Sequence, residues 1–407
     1  MTVSRRDFLA TVGAGGAAYG VIGASGLAFP ELSGRGREAL AAQAFAQGAQ
    51  GRPGAVDRMA DRRMSANAAV RLDSNENPVG PFPRALEAIR SHLNESNRYP
   101  ILAEEDVINA IAKLQGVKPE NVILGCGSGE LLRAADHAFT SRTAAYVGAG
   151  PTFEAPGQFA SFLGAEVRAP AVDSKLSLDL GAMGAAARGA GLVFLCNPNN
   201  PTATVHTKAD VTAFINDVLS ASPQTTILVD EAYFDYVDAP GYGTLIPMAI
   251  ENPRVFVLRT FSKAYGMAGL RIGYAVGRPE TMAKMKQWVL GSNVSQLTLL
   301  AATAALGDPA ALAAEVKRNR EVKAFTRKFF ADAGFTMTSG DANFMMVDIK
   351  RNVADFKKLA LTKGVAIGRP FPPLTTQARI TFGTMDEMKK ATAVFRELLA
   401  QPAAAGG

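Results

Sequence analysis

Residues that bind metals or form disulfides are scarce in this 407-residue chain, which has two cysteines and three histidines. His92, His137 and His206 fall at no spacing that would close a metal site with Cys126 or Cys196, so neither a structural metal nor a cysteine framework is expected. Both cysteines lie near expected strand ends and read as small buried residues. Charge is also sparse, at 20% of residues. The net charge is +6, but the arginines are scattered and no basic stripe interleaved with aromatics occurs, so nucleic-acid binding is a poor account of the positive balance. No internal repeat is visible. Apolar residues are plentiful, at 48%. The chain is long enough for two domains and a large core, which fits a globular α/β protein.

The first 46 residues read as a segment separate from the fold. Ser4-Arg5-Arg6-Asp7-Phe8-Leu9 has the form of a twin-arginine export signal, and a mildly apolar run rich in alanine and glycine follows from Ala10 to Phe29. That run has the length of a membrane span, but its glycines make it a weak one. Ala44-Phe45-Ala46 offers a cleavage site. The twin-arginine export machinery is then an expected partner, and a periplasmic or secreted location is the expectation. A chance Arg-Arg pair is the plainer alternative, against which the preceding serine and the following Phe-Leu stand. Residues 47–70 are polar and read as a linker or arm.

The chemistry concentrates around Lys263. It lies in Thr260-Phe261-Ser262-Lys263-Ala264-Tyr265-Gly266, between the apolar runs Val255 to Leu258 and Ile272 to Val276, which read as buried strands. A lysine held away from water among other cations loses its proton easily, as a Schiff-base lysine must. Thr260 and Ser262 supply hydroxyls nearby and Arg271 a fixed cation, a set suited to a phosphate. A surface lysine on a glycine-containing loop is the alternative. A second run, Ile227 to Val229, ends in Asp230-Glu231-Ala232-Tyr233, placing an acid at the carboxyl end of a buried strand, where open α/β sheets bind ligands. A helix-capping aspartate fits this piece equally well.

Three further segments point toward the same place. Leu192 to Leu195 leads into Cys196-Asn197-Pro198-Asn199-Asn200-Pro201-Thr202, a turn that offers Asn200 as a hydrogen-bonding group. Val122 to Leu124 runs into Gly125-Cys126-Gly127-Ser128-Gly129-Glu130 and then a helical pattern through Phe139, so free backbone N–H groups converge as in a phosphate cradle. A tight strand-to-helix connection gives the same pattern. Pro151-Thr152-Phe153 follows Ala144 to Val147 and places an aromatic ring for stacking, with core packing as the competing account.

Taken in order, these residues resemble the fold-type I pyridoxal-phosphate aminotransferases, and within them the histidinol-phosphate aminotransferase subgroup. The likeness runs from about Leu72 to about Leu399. It includes Ser74-Asn75-Glu76-Asn77-Pro78-Val79-Gly80-Pro81, Arg98-Tyr99-Pro100, Ala342-Asn343-Phe344 and Arg379-Ile380-Thr381-Phe382-Gly383. It implies an α/β fold: a large domain whose mostly parallel seven-stranded sheet is flanked by helices, and a smaller α+β domain. Residues 71–95 and 296–401 would form the small domain and residues 96–295 the large cofactor-binding one.

The resemblance also implies roles. Lys263 would form the Schiff base with pyridoxal 5'-phosphate and shuttle the proton, Asp230 would pair with the ring nitrogen, and Asn200 and Tyr233 would bind the ring hydroxyl. Ser128, Gly129, Glu130, Thr260, Ser262 and Arg271 would surround the phosphate, Phe153 would lie on the ring, and Tyr99 would reach the phosphate of a neighbouring subunit in a homodimer. Arg379 would grip the α-carboxylate of the amino acid or 2-oxo acid, with Asn77 and Gly80 on the substrate side; a surface arginine on an edge strand is the plain alternative for Arg379.

Two departures from the family pattern change little: Ala203 stands where glycine is usual, and Phe153 where tyrosine is frequent. A third, Ile367-Gly368-Arg369-Pro370-Phe371-Pro372-Pro373, does not match a histidinol-phosphate enzyme and suits an apolar or aromatic donor side chain better than a phosphate. The expected activity is amino transfer in two half-reactions. A decarboxylase or lyase on the same fold, and a non-catalytic cofactor-binding protein, are the competing readings.

Overall fold

The computed structural model describes residues 65–401. The signal, its cleavage site and the linker through residue 64 lie outside the described residues. Eleven strands occur among the described residues: β1 (Val70–Leu72), β2 (Val122–Gly125), β3 (Ala145–Gly148), β4 (Val167–Arg168), β5 (Ala190–Cys196), β6 (Thr226–Asp230), β7 (Val255–Thr260), β8 (Gly273–Gly277), β9 (Phe344–Asp348), β10 (Val365–Ile367) and β11 (Gln377–Thr381). Seven of them form one sheet in the order β2-β8-β7-β6-β5-β3-β4. Neighbours from β7 to β4 run parallel, whereas β8 is antiparallel to both β7 and β2. The central strands are continuous apolar runs because helices cover both faces, so no polar alternation is needed.

The remaining strands form two small sheets, β1 with β10 in parallel and β9 with β11 antiparallel. A second core lies there, built from Leu72, Val347, Phe356, Ile380 and Phe395.

The packing divides the chain differently from the boundaries expected at residues 95 and 296. The helices Pro83–Ser91 and Gln296–Leu306, assigned on sequence to the small domain, pack against each other. Phe82, Ala85, Leu299 and Ala302 belong to the same core as Val193, Val229 and Val257 of the large sheet. The alanines of Gln296–Leu306 allow this close approach. The next helix, Pro309–Asp332, carries the chain to the second core through Val322 and Phe330. A second correction concerns Cys126. It is exposed and Cys196 buried, both as free thiols, because β2 stops at Gly125 and Cys126 already sits in the turn that leaves the sheet.

The loop after β7 is fixed by a contact between two glycine backbones. Gly266 has φ +68°, and a Cβ there would overlap the carbonyl of Gly80, itself in a left-handed turn at φ +79°. Gly266 N donates to Lys263 O at 2.9 Å and so closes the lysine's turn. Gly266→Ala therefore meets both a left-handed penalty and a backbone clash, and should lower the unfolding free energy by about 2 to 5 kcal/mol. Gly269→Ala, with nothing within 4 Å of its added methyl, should cost less than about 1 kcal/mol. Denaturant unfolding of both variants beside the wild type tests the contrast.

Candidate active site

The carboxyl ends of β5, β6 and β7 open onto one region. β6 ends in two adjacent acids that strand alternation sends apart. Glu231 accepts from Arg259 Nη2 at 2.8 Å and from the Leu245 N–H at 2.7 Å, a buried and fully partnered ion pair. Asp230 is buried too, but its carboxylate accepts only from the Ala232 N–H, at 3.1 Å. Among the described residues no cation lies within ion-pair distance of Asp230, and burial pushes its carboxyl up to about 7.

Lys263 follows β7. Ser262 N donates to Thr260 Oγ1 at 3.1 Å, and Thr260 Oγ1 donates to Ser262 Oγ at 3.0 Å, which turns the chain so that the lysine points back over the sheet edge. Its Nζ donates to Asn75 O at 2.9 Å and lies 5.4 Å from the centre of the Tyr233 ring. Burial, reinforced by the nearby Arg379 charge, lowers the amine to about 8. The Tyr233 hydroxyl accepts from Asn75 Nδ2 at 3.2 Å, and burial raises its pKa.

Asn75 is the hub that the sequence did not reveal. It holds φ at +53°, a left-handed value that asparagine tolerates better than most residues. Its N–H donates to Thr381 Oγ1 at 3.0 Å, its Oδ1 accepts from the same hydroxyl at 3.0 Å, and its carbonyl accepts from Asn343 Nδ2 at 3.0 Å. The motifs containing these three residues were visible; their roles were not.

Arg379 is buried on β11. Nη1 donates to Asn200 Oδ1 at 2.8 Å and Nη2 to Asp73 O at 2.5 Å, while Nε has no partner. Its guanidinium lies 4.9 Å from the centre of the Phe371 ring and 5.6 Å from that of Phe344. Burial lowers its pKa to about 10. Asn77 Nδ2 donates to Ala264 O at 3.1 Å, and Gly80 meets Gly266, so both of these residues brace the lysine loop.

A cradle lies beside these groups. The helix Ser128–Phe139 starts after Gly127, which has φ +75°, and no side chain caps its first turn. A Cβ on Gly127 would overlap the Arg271 guanidinium, and one on Gly273 would sit 2.6 Å from Ser128 N. Gly273 is the register partner of Thr260. The Ser128 and Gly129 backbone, Arg271 and the Thr260–Ser262 hydroxyls are thus gathered around Gly127 and Gly273. The Glu130 carboxylate turns away from these groups, accepting from Cys126 N at 2.6 Å and from Asn293 Nδ2 at 2.6 Å. Phe153 is 38% exposed on a loop tied down where Thr152 Oγ1 donates to Asn199 Oδ1 at 2.7 Å. Tyr99 is not drawn into this cluster; it is 85% exposed. No group of three or more candidate metal ligands occurs among the described residues.

Comparison with known proteins accords with this geometry. Residues 68–395 match the family model for aminotransferase class I and II. A histidinol-phosphate aminotransferase of Moorella thermoacetica is 35% identical over 353 residues, 86% of this chain and 90% of that protein. One from Lactiplantibacillus plantarum is 33% identical over 335 residues, 81% of this chain and 92% of that protein. The crystal structure of histidinol-phosphate aminotransferase from Sinorhizobium meliloti in complex with pyridoxal-5'-phosphate aligns with a TM-score of 0.77 at 27% identity, covering 84% of this chain and 94% of that one.

The lowered Lys263 amine has a measurable consequence. Its neutral, nucleophilic form grows as pH rises through about 8, whereas an ordinary lysine is mostly protonated until about 10.4. In protein stripped of bound cofactor, Lys263 should be acylated ahead of the other lysines, with half-maximal rate near pH 8, followed by peptide mass spectrometry across a pH series. A midpoint near that of the surface lysines would contradict the assignment.

Proposed function

Because the chain belongs to the class I and II aminotransferases, we propose that the cluster around Lys263 is the place where this pyridoxal-phosphate-dependent enzyme moves an amino group from an amino acid to a 2-oxo acid. The observation that carries the proposal is the half-buried Lys263 amine, lowered to about 8 and held on the Asn75 carbonyl rather than on an acid.

The residues present fit the cofactor. The uncapped helix start at Ser128 and Gly129, with Thr260, Ser262 and Arg271 gathered around Gly127 and Gly273, suits a phosphate, and a buried Asp230 with no ion-pair partner suits a protonated ring nitrogen. Asn200 and Tyr233 would hold the ring oxygen and Phe153 the ring face. When bound, the cofactor supplies an electron sink for the bonds at the donor's α-carbon. The protein's part is positioning and proton movement: the Arg379 guanidinium holds the α-carboxylate, and Lys263 Nζ takes and returns the α-proton. Asn77 and Gly80 line the substrate side. The enzyme would work as a homodimer, with Tyr99 completing the neighbouring site. Tyr99, Ile101 and Leu102 are 85%, 69% and 76% exposed, an apolar surface that a second copy would cover.

The donor we favour carries an apolar or aromatic side chain, because Phe371 lies against the Arg379 guanidinium and Arg369 is the sole arginine in the segment before it. The relatives' names favour a second donor, histidinol phosphate. Holoenzyme mixed with an amino donor and no acceptor should release one oxo product per site, a 2-oxo acid where the donor is an amino acid, and Lys263→Ala should reduce that rate at least ~10³-fold. Release of carbon dioxide or ammonia instead would mark a decarboxylase or lyase.

We further propose export by the twin-arginine route, supported by Ser4-Arg5-Arg6-Asp7-Phe8-Leu9. That route carries folded proteins, which allows loading of the cofactor before export. Replacing Arg5 and Arg6 together by lysine should leave folded, cofactor-loaded enzyme in the cytoplasm, as cell fractionation would report; undiminished export would exclude the route.

A further inference from the structure

The segment Asn75-Glu76-Asn77 is tied to the lysine loop at two points. Lys263 Nζ donates to Asn75 O at 2.9 Å, and Asn77 Nδ2 donates to the carbonyl of the residue after the lysine, Ala264, at 3.1 Å. Glu76 stands between these two anchors, and its own carbonyl accepts from Asn343 Nδ2 at 3.3 Å. Its carboxylate accepts from Arg71 Nη2 at 2.8 Å, with each side chain 44% exposed. A pair so open to water adds little to stability. It decides instead how much negative charge is offered to the lysine.

The charges that act on the Lys263 amine fall into two sets. Arg379 and Arg271 oppose its protonation, whereas Glu76 and Asp230 favour it, Glu76 the more strongly. Tyr233 and Cys196 face the same region, but burial raises the pKa of both and keeps them neutral. Asp230 is committed to the ring nitrogen when the cofactor is bound. A lysine that takes the α-proton gains a full positive charge where two arginines already act on it, a state that an anion must offset. The carboxylate left for that task is Glu76, and Arg71 draws on the same carboxylate.

We propose that Glu76 is a positioning residue for proton transfer at Lys263: it supplies the negative charge that steadies the amine once it has taken a proton, and Arg71 limits that charge by pairing with it. The inference rests on the aminotransferase reading and assigns a further residue to the same step. Removing either partner alone should shift the proton affinity of Lys263 in opposite directions, which a purely structural role for the pair would not do.

The test is the pH midpoint for acylation of Lys263 in the full chain stripped of cofactor, followed by peptide mass spectrometry. The wild type should titrate near pH 8. Glu76→Gln should lower the midpoint by at least ~0.3 pH unit, and Arg71→Gln should raise it, since the carboxylate is then shared with no other cation. In the double variant the Arg71 effect should vanish, leaving the midpoint of Glu76→Gln. A smaller fall in Glu76→Gln, or a rise, would overturn the role of Glu76. An Arg71→Gln midpoint that is unmoved or lowered, or a rise that persists without Glu76, would overturn the role of Arg71. Either failure leaves the aminotransferase reading in place, whereas a wild-type midpoint near that of the surface lysines would overturn the assignment of Lys263 and this inference with it.

Discussion

The site depends on keeping a half-buried Lys263 and a buried Asp230 in one place without letting them pair. A direct ion pair would hold the lysine protonated and the aspartate ionised, each by the other's charge. Instead each is given a backbone partner: the Lys263 amine donates to the Asn75 carbonyl, and the Asp230 carboxylate accepts from the Ala232 N–H. Neither bond offsets the loss of water around a full charge, so both groups move toward their neutral forms, the amine to about 8 and the carboxyl to about 7. A lysine that is neutral in part near pH 8 can act as nucleophile and base, and an aspartate with no cation of its own is left to meet a cationic ligand group, which a locked pair would prevent.

Strand geometry supplies the aspartate side of this arrangement. Asp230 and Glu231 are neighbours of identical charge, yet alternation at the end of β6 gives them opposite fates. Glu231 takes Arg259 and the Thr244–Leu245 turn and becomes structural. Arg259 stands on Glu231's side, so Asp230 is left without a cation by the direction in which it points.

How much of this was legible in the sequence depends on the range of the interaction. β5, β6 and β7 were readable because parallel strands covered on both faces are continuous apolar runs, and the residues that end them, Cys196, Asp230 and Thr260, mark the ligand edge of the sheet. Lys263 and Arg271 followed from local spacing. Asn75 did not, since its partners stand 268 and 306 positions further along the chain and nothing near it announces them. The helix Gln296–Leu306 showed its apolar character but not which core would receive it; small side chains fit several neighbours, and contact with Pro83–Ser91 decided the matter. Cys126 was misplaced because residue type favours burial while its position, one residue past the end of β2, exposes it.

The small sheet is more than a platform for Arg379. Thr381 lies on β11, and Asn343 immediately precedes β9; together they hold Asn75 in its left-handed conformation, with its carbonyl facing Lys263. Arg379, on the same strand as Thr381, reaches across to Asn200 and to the Asp73 carbonyl, and its charge helps to lower the lysine amine. Displacing β9 and β11 relative to the large sheet would therefore withdraw the acceptor that favours the protonated amine and the cation that opposes it. The proton affinity of Lys263 is thus tied to the seating of one domain on the other. Because Arg379 is also the proposed anchor for the donor carboxylate, occupation of that anchor would be felt at the lysine through charge neutralisation, without any side chain having to carry the signal between them.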